Sequence, residues 1–127
     1  MKIIYLAAAI ILFCSCARRK TMGNRQPMDS TVQVTGALPD CVKKLVAQIE
    51  AAEKTNPPRS IYSYTYHGKT VYYVTAPCCD FFSDLYDSAC NLVAHPDGGF
   101  TGLGDQRAPD FIKERKDEKW LWTDERK

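Results

Sequence analysis

Two histidines, His67 and His95, are all the chain has. Neither sits in a nucleophile motif, which removes the usual Ser–His or Cys–His chemistry. Long apolar runs are missing too: the longest, residues 3–13, is about half of the roughly 20 residues a membrane-crossing helix needs. Charge of one sign is also absent, since 17 Lys and Arg stand against 15 Asp and Glu for a formal net charge of +2. A balance so near zero excludes the broad basic field that nucleic-acid binding uses. No Cys-X-X-Cys spacing occurs, so a thioredoxin-type redox site lacks its motif.

What is present begins with an export pattern. Lys2 supplies a positive n-region, residues 3–13 an apolar h-region, and Ser15-Cys16 the small residue and acceptor thiol of a lipobox. The length fits a cleavable signal, residues 1–15, and not a span. Cys14 is a rival acceptor, but the bulky Phe13 precedes it, whereas the small Ser15 precedes Cys16. Lipidation at Cys16 with more than one acyl chain would give stable membrane anchoring. Ala17, Arg18, Arg19 and Lys20 follow without an acidic run. The expected address is therefore the cell envelope, facing the periplasm from the inner leaflet of the outer membrane or from the inner membrane.

Residues 16–36 include Gly23, Asn24, Pro27, Ser30 and Thr31 and read as a flexible lipidated tether. Residues 37–127 read as a single domain; the roughly 110 residues left after cleavage suffice for one modest core. The positive excess sits in the tether, with Arg18, Arg19, Lys20 and Arg25 against Asp29. That placement favours anionic headgroups over nucleic acid as partner. Between Asp80 and Asp110 lie Asp84, Asp87, Asp97 and Asp105, opposed by Arg107 alone.

Four cysteines follow the tether: Cys41, Cys78, Cys79 and Cys90. In an oxidising compartment an even number reads as two disulfides. Adjacent Cα atoms are 3.8 Å apart, short of the usual 5.5 Å of a bridge, so pairing Cys78 with Cys79 is disfavoured. The remaining connectivities join Cys41 to one of that pair and Cys90 to the other. A bridge from Cys41 to the pair would contribute roughly 4 kcal/mol through chain entropy.

Leu38, Val42, Leu45, Ile49 and Ala52 fall at helical spacing. Pro39 and Asp40 suit a first turn, and Asn56-Pro57-Pro58 a stop. Residues 61–75 form the clearest strand pattern, two runs rich in Tyr, Thr and Val around His67-Gly68. A two-residue turn there opposes Tyr62 to Tyr73, Tyr64 to Val71 and Ile61 to Val74. Both faces carry apolar atoms, and pattern alone does not choose which one the helix covers. The plainer expectation is one core face and one wet face where tyrosine hydroxyls reach water; the sharper one is a tyrosine-lined binding surface. Residues 84–87 and 91–94 suggest a second hairpin, residues 111–116 a short helix, and residues 120–123 a last strand. The expected fold is α+β, one N-terminal helix on a disulfide-braced antiparallel sheet of about four to five strands.

The loop from His95 to Asp110 holds the remaining chemistry. Asp97, Asp105 and the glycines between them offer hard oxygen ligands on a flexible run, which would suit calcium. The spacing is not that of an EF-hand, and Asp-Gly pairs are also ordinary turn punctuation. Few apolar residues lie inside, so the loop is expected to be soft, anchored by Phe100 and Leu103. A zinc site from Cys78, Cys79, Cys90 and His95 has suitable ligand types, but its spacing matches no ribbon or finger.

The lipobox together with Cys78-Cys79-Asp80, Leu85-Tyr86-Asp87, Pro96-Asp97-Gly98-Gly99, Gly102, Gly104-Asp105 and Pro109-Asp110-Phe111 resembles a group of small uncharacterised lipoproteins from Bacteroidota, across about residues 41–122. The resemblance implies compartment and lineage and brings no activity. It also implies cysteines at two positions where this chain has Ala94 and Ala108, so one bridge of that pattern is missing here. The element order is similar, at fold level, to small periplasmic domains of the PepSY and β-lactamase-inhibitor-protein type. The expected function is a non-enzymatic domain that binds an envelope protein or other ligand and needs no cofactor. The alternatives are a calcium-dependent binding module built on residues 97–105 and an inhibitor of an envelope enzyme.

Overall fold

The computed structural model describes residues 37–127. The signal segment, Cys16 and the tether lie outside them. Helix α1 (Asp40–Ala51) starts where Pro39 supplies an extended N-cap and its carbonyl accepts from Lys43 N at 3.0 Å. Asp40 pairs with Lys43 at 2.9 Å in the first turn. The helix ends before Asn56-Pro57-Pro58, and its last carbonyls have a partner from the far end of the chain. Arg126 donates to the carbonyls of Ile49, Glu50 and Ala52, and Asp124, 1% exposed, holds the same guanidinium at 2.7 Å. A cation at a helix C-terminus meets the negative end of the dipole while satisfying orphan acceptors.

Five strands form one antiparallel sheet, in which the strands lie fourth, third, second, first, fifth by chain order. Strands β1 (Ser60–Tyr66) and β2 (Lys69–Val74) pair in the expected register, with Ile61↔Val74, Tyr62↔Tyr73 and Tyr64↔Val71. Both turn residues, His67 and Gly68, have positive φ, as a two-residue turn matched to the strand twist requires. Strands β3 (Asp84–Asp87) and β4 (Leu92–Ala94) make the second hairpin. A four-residue helix, α2 (Phe111–Glu114), leads into β5 (Lys116–Thr123), which pairs with β1. Strand β5 begins four residues before the expected Trp120. Its first half, Lys116-Asp117-Glu118-Lys119, is exposed, and charge on an edge strand discourages pairing with other chains while hiding the strand pattern.

The sheet is covered on both sides. Helix α1 packs Val42, Leu45 and Ile49 against Ile61, Tyr72 and Val74. The opposite face buries Tyr64, Val71, Leu85 and Ala94 under Ala108 and Phe111, which the 95–110 loop brings over the strands. One face is the expected core, but on the other the tyrosine hydroxyls expected to reach water meet protein carboxylates. Tyr64 donates to Glu118, Tyr66 to Asp110 and Tyr73 to Asp97. Arg115 lies over the Tyr64 ring at 4.7 Å from its centroid.

Cysteine pairing also differs from expectation. Cys41 bridges Cys90 with a Cα separation of 5.1 Å, and Cys78 bridges its neighbour Cys79 at 3.8 Å. The topology explains the first pair: α1 begins over the turn that follows β3, where Cys90 sits, whereas the other two cysteines precede β3 at its opposite end. The adjacent pair is accommodated by a left-handed backbone at Cys79, φ 51°. Among the described residues no helix is long and apolar enough to cross a membrane.

Candidate binding surface

The segment joining β2 to β3 and the loop after β4 leave the sheet at the same end, and their backbones pair. Phe82 bridges Gly98, and Gly98 bridges Leu103. Gly99 N donates to the Phe81 carbonyl at 3.2 Å, Ser83 N to Asp97 at 3.3 Å, Gly104 N to Gly98 at 3.2 Å and Asp105 N to His95 at 2.8 Å. Glycine is required twice here for lack of space. A Cβ at Gly98 would collide with the Phe81 carbonyl, and one at Gly104 with the His95 carbonyl; both residues have positive φ.

The stitched loops correct the expected anchors of this segment. Phe100 and Leu103, the expected anchors, are 94% and 64% exposed, while Ala108 and Phe111 hold the loop down at 4% and 0%. Phe81 and Phe82 are 62% and 41% exposed on the facing strand of backbone. Four large apolar side chains thus stand out on a cross-bonded support. Fully burying one such side chain is worth roughly 1.5–3 kcal/mol, so a partner that covered the tip would gain several such increments.

Beneath the tip the support is polar and fully bonded. Ser83, 3% exposed, accepts from Tyr73 at 3.0 Å and from the Ala76 amide at 3.1 Å. His95 stacks on Phe82 with centroids 5.2 Å apart, and its Nδ1 lies 3.0 Å from Asp84. Arg59 reaches the other Asp84 oxygen at 3.0 Å. Burial, aided by the hydrogen bond to Asp97, pushes the Tyr73 hydroxyl up to about 12. It therefore stays a donor throughout the neutral range.

The residues singled out from sequence fall in three places. Asp97 accepts from Tyr73 at 2.7 Å, and Asp105 accepts from the Arg107 amide at 3.0 Å. Burial raises the Asp105 carboxyl, but the Arg107 and His95 neighbourhood outweighs it and leaves the carboxyl below its ordinary value. Among the described residues no three His, Cys, Asp or Glu side chains gather as a metal site would need, so Cys78, Cys79, Cys90 and His95 do not converge. His67 meets Asp110 at 3.0 Å beside the first hairpin. Among the described residues no hydrogen bond joins either imidazole to a hydroxyl or thiol nucleophile. Sequence reasoning passed over Phe81 and Phe82; the signal was two aromatics in a row inside a turn-rich stretch.

Fold and surface together define a small disulfide-braced α+β domain that presents exposed apolar side chains on cross-bonded loops. Residues 47–124 match the family model described as a domain of unknown function, DUF6970. The chain belongs to that family, and the matched region contains the whole sheet and both tip loops. Comparison with curated proteins and with solved structures found no match.

Proposed function

We propose that this protein is a lipid-anchored envelope protein facing the periplasm, whose domain binds a partner protein through Phe81, Phe82, Phe100 and Leu103. The observation that carries this reading is the exposure of those side chains on backbones that are bonded to each other. A preorganised loop loses little entropy on binding, and aromatic anchors supply most of the energy of small interfaces. The lipobox at Cys16 and the pairing of all four later cysteines support the compartment. The same rigid, protruding loop also favours an inhibitor, which would place the tip in the cleft of an envelope enzyme.

A photo-crosslinking residue at position 100, introduced in cells, tests the proposal. The expected result is a discrete adduct that is absent when the probe sits at Lys44, exposed on α1. Phe100→Ser with Leu103→Ser should abolish binding and leave Tm unchanged. Identical adducts from both probe positions would refute a role for the tip.

A further inference from the structure

The two bridges sit in unlike surroundings. Cys41–Cys90 joins the start of α1 to the turn after β3, with Cys41 buried at 6% exposure and Cys90 part-buried. Cys78–Cys79 lies between β2 and β3, where Cys79 is exposed and Cys78 part-buried. A thiolate opens a disulfide by attacking one of its sulfurs, so access helps decide which bridge exchanges. Adjacency acts in the same direction. Neighbouring Cα atoms stay 3.8 Å apart, short of the roughly 4.4 Å at which ordinary bridges begin, and bonds outside that range are more easily reduced.

The adjacent bridge also belongs to the turn that sets one side of the tip. Residues 78–81 form a turn closed by the Phe81 amide, which donates to the Cys78 carbonyl at 3.1 Å. Cys79, second in that turn, is left-handed at φ 51°, a conformation that a residue with a Cβ adopts reluctantly. The small ring closed by the S–S bond restricts rotation about both cysteines. Immediately beyond it, the Phe81 carbonyl accepts from the Gly99 amide at 3.2 Å, Phe82 bridges Gly98, and Ser83 N donates to the Asp97 carbonyl at 3.3 Å. The turn is thus continuous with the backbone bonds that seat Phe81 and Phe82.

We propose that Cys78–Cys79 is a redox-active bridge that exchanges with a dithiol, and that its opening releases the turn and loosens the seat of Phe81 and Phe82. One thiolate of the dithiol attacks Cys79 Sγ; the S–S bond breaks and Cys78 leaves as a thiolate, which takes a proton. The second thiolate of the dithiol attacks the dithiol's own sulfur in the mixed disulfide and expels Cys79, which is protonated in turn. Two electrons and two protons pass to the protein, and the dithiol becomes a disulfide. Cys41–Cys90 stays closed, because folding and the long loop it closes support each other. The effect on a partner rests on the tip being a binding surface, whereas the exchange needs only the bridge.

The test is a titration of the oxidised full chain with dithiothreitol, followed by alkylation and peptide mass mapping. Alkylated Cys78 and Cys79 should appear at concentrations about tenfold or more below those that expose Cys41 and Cys90. Once the pair is open, hydrogen exchange at the Phe81, Ser83 and Gly99 amides should quicken about tenfold or more, with α1 unchanged. Cys78→Ala with Cys79→Ala should exchange fast at these amides with and without dithiothreitol. Opening of both bridges together, or of Cys41–Cys90 first, would overturn the assignment of the exchanging bridge. Free thiols at Cys78 and Cys79 with unaltered exchange at all three amides would overturn the link to the tip.

Discussion

The two disulfides differ in one respect that can be measured: how much chain each one closes. Cys41 and Cys90 are 49 residues apart, whereas Cys78 and Cys79 are 1 apart. In the chain-entropy account, a bridge stabilises by restricting the unfolded ensemble, and a loop of that first size is worth about 4 kcal/mol. The adjacent pair closes no loop and should be worth about zero by the same account. For a domain of this size each kcal/mol shifts Tm by roughly 4–8 °C. Replacing Cys41 and Cys90 together by alanine should therefore lower Tm by roughly 15–30 °C. Cys78→Ala with Cys79→Ala should move it by only a few degrees. Alanine keeps a polar hydroxyl out of the buried site that Cys41 occupies at 6% exposure. Urea unfolding followed by circular dichroism gives both losses on one scale. Equal losses from the two pairs would refute the reasoning, because they would place the stabilisation in native contacts and not in the unfolded chain.

Phe111→Ala should cost about 3–5 kcal/mol, as for other fully buried phenylalanines, since Phe111 is 0% exposed and its ring meets those of Tyr64, Tyr66 and Tyr73; urea unfolding measures it. The hydrogen bond from Arg126, opposed by burial, holds the Asp124 carboxyl below its ordinary value. Its contribution is therefore present above the unfolded carboxylate range and lost as pH falls through the folded value, so Tm should drop less steeply on acidification in Asp124→Asn than in the parent. Because Tyr73 already occupies Asp97, millimolar calcium should leave Tm unchanged, and a rise that grows with concentration would establish a bound ion. Ala94→Cys with Ala108→Cys, both buried in one cluster, should oxidise to a further bridge, seen as a two-hydrogen mass loss, and add up to about 3 kcal/mol.

Periodicity carried the sheet's centre. The β1–β2 register was legible residue by residue because a His-Gly turn leaves only one way to align two short strands. The edge was less legible: Lys116-Asp117-Glu118-Lys119 has the charge of a loop, and only its partner β1 makes it a strand. Cysteine pairing failed for a different reason. Distance rules describe the usual bridge, but the decisive fact was which end of β3 each cysteine occupies, a property of topology and not of spacing. At the tip, Phe100 and Leu103 looked like anchors because apolar residues usually point inward. Ala108 and Phe111 instead fill the space over the sheet, and the glycines let backbone, in place of side chains, hold the loop.

The clamp of Arg126 on α1 sets an order of events during synthesis. The last carbonyls of α1 lack their guanidinium partner until Arg126 has emerged, and β1 lacks one neighbour until β5 follows it. Any nascent fragment that ends before residue 116 exposes one side of β1 and the carbonyls at the end of α1. The domain is thereby left incomplete until β5 and Arg126 have been made. Truncation works in the same direction: removing Arg126 and Lys127 alone would leave the end of the first helix uncapped.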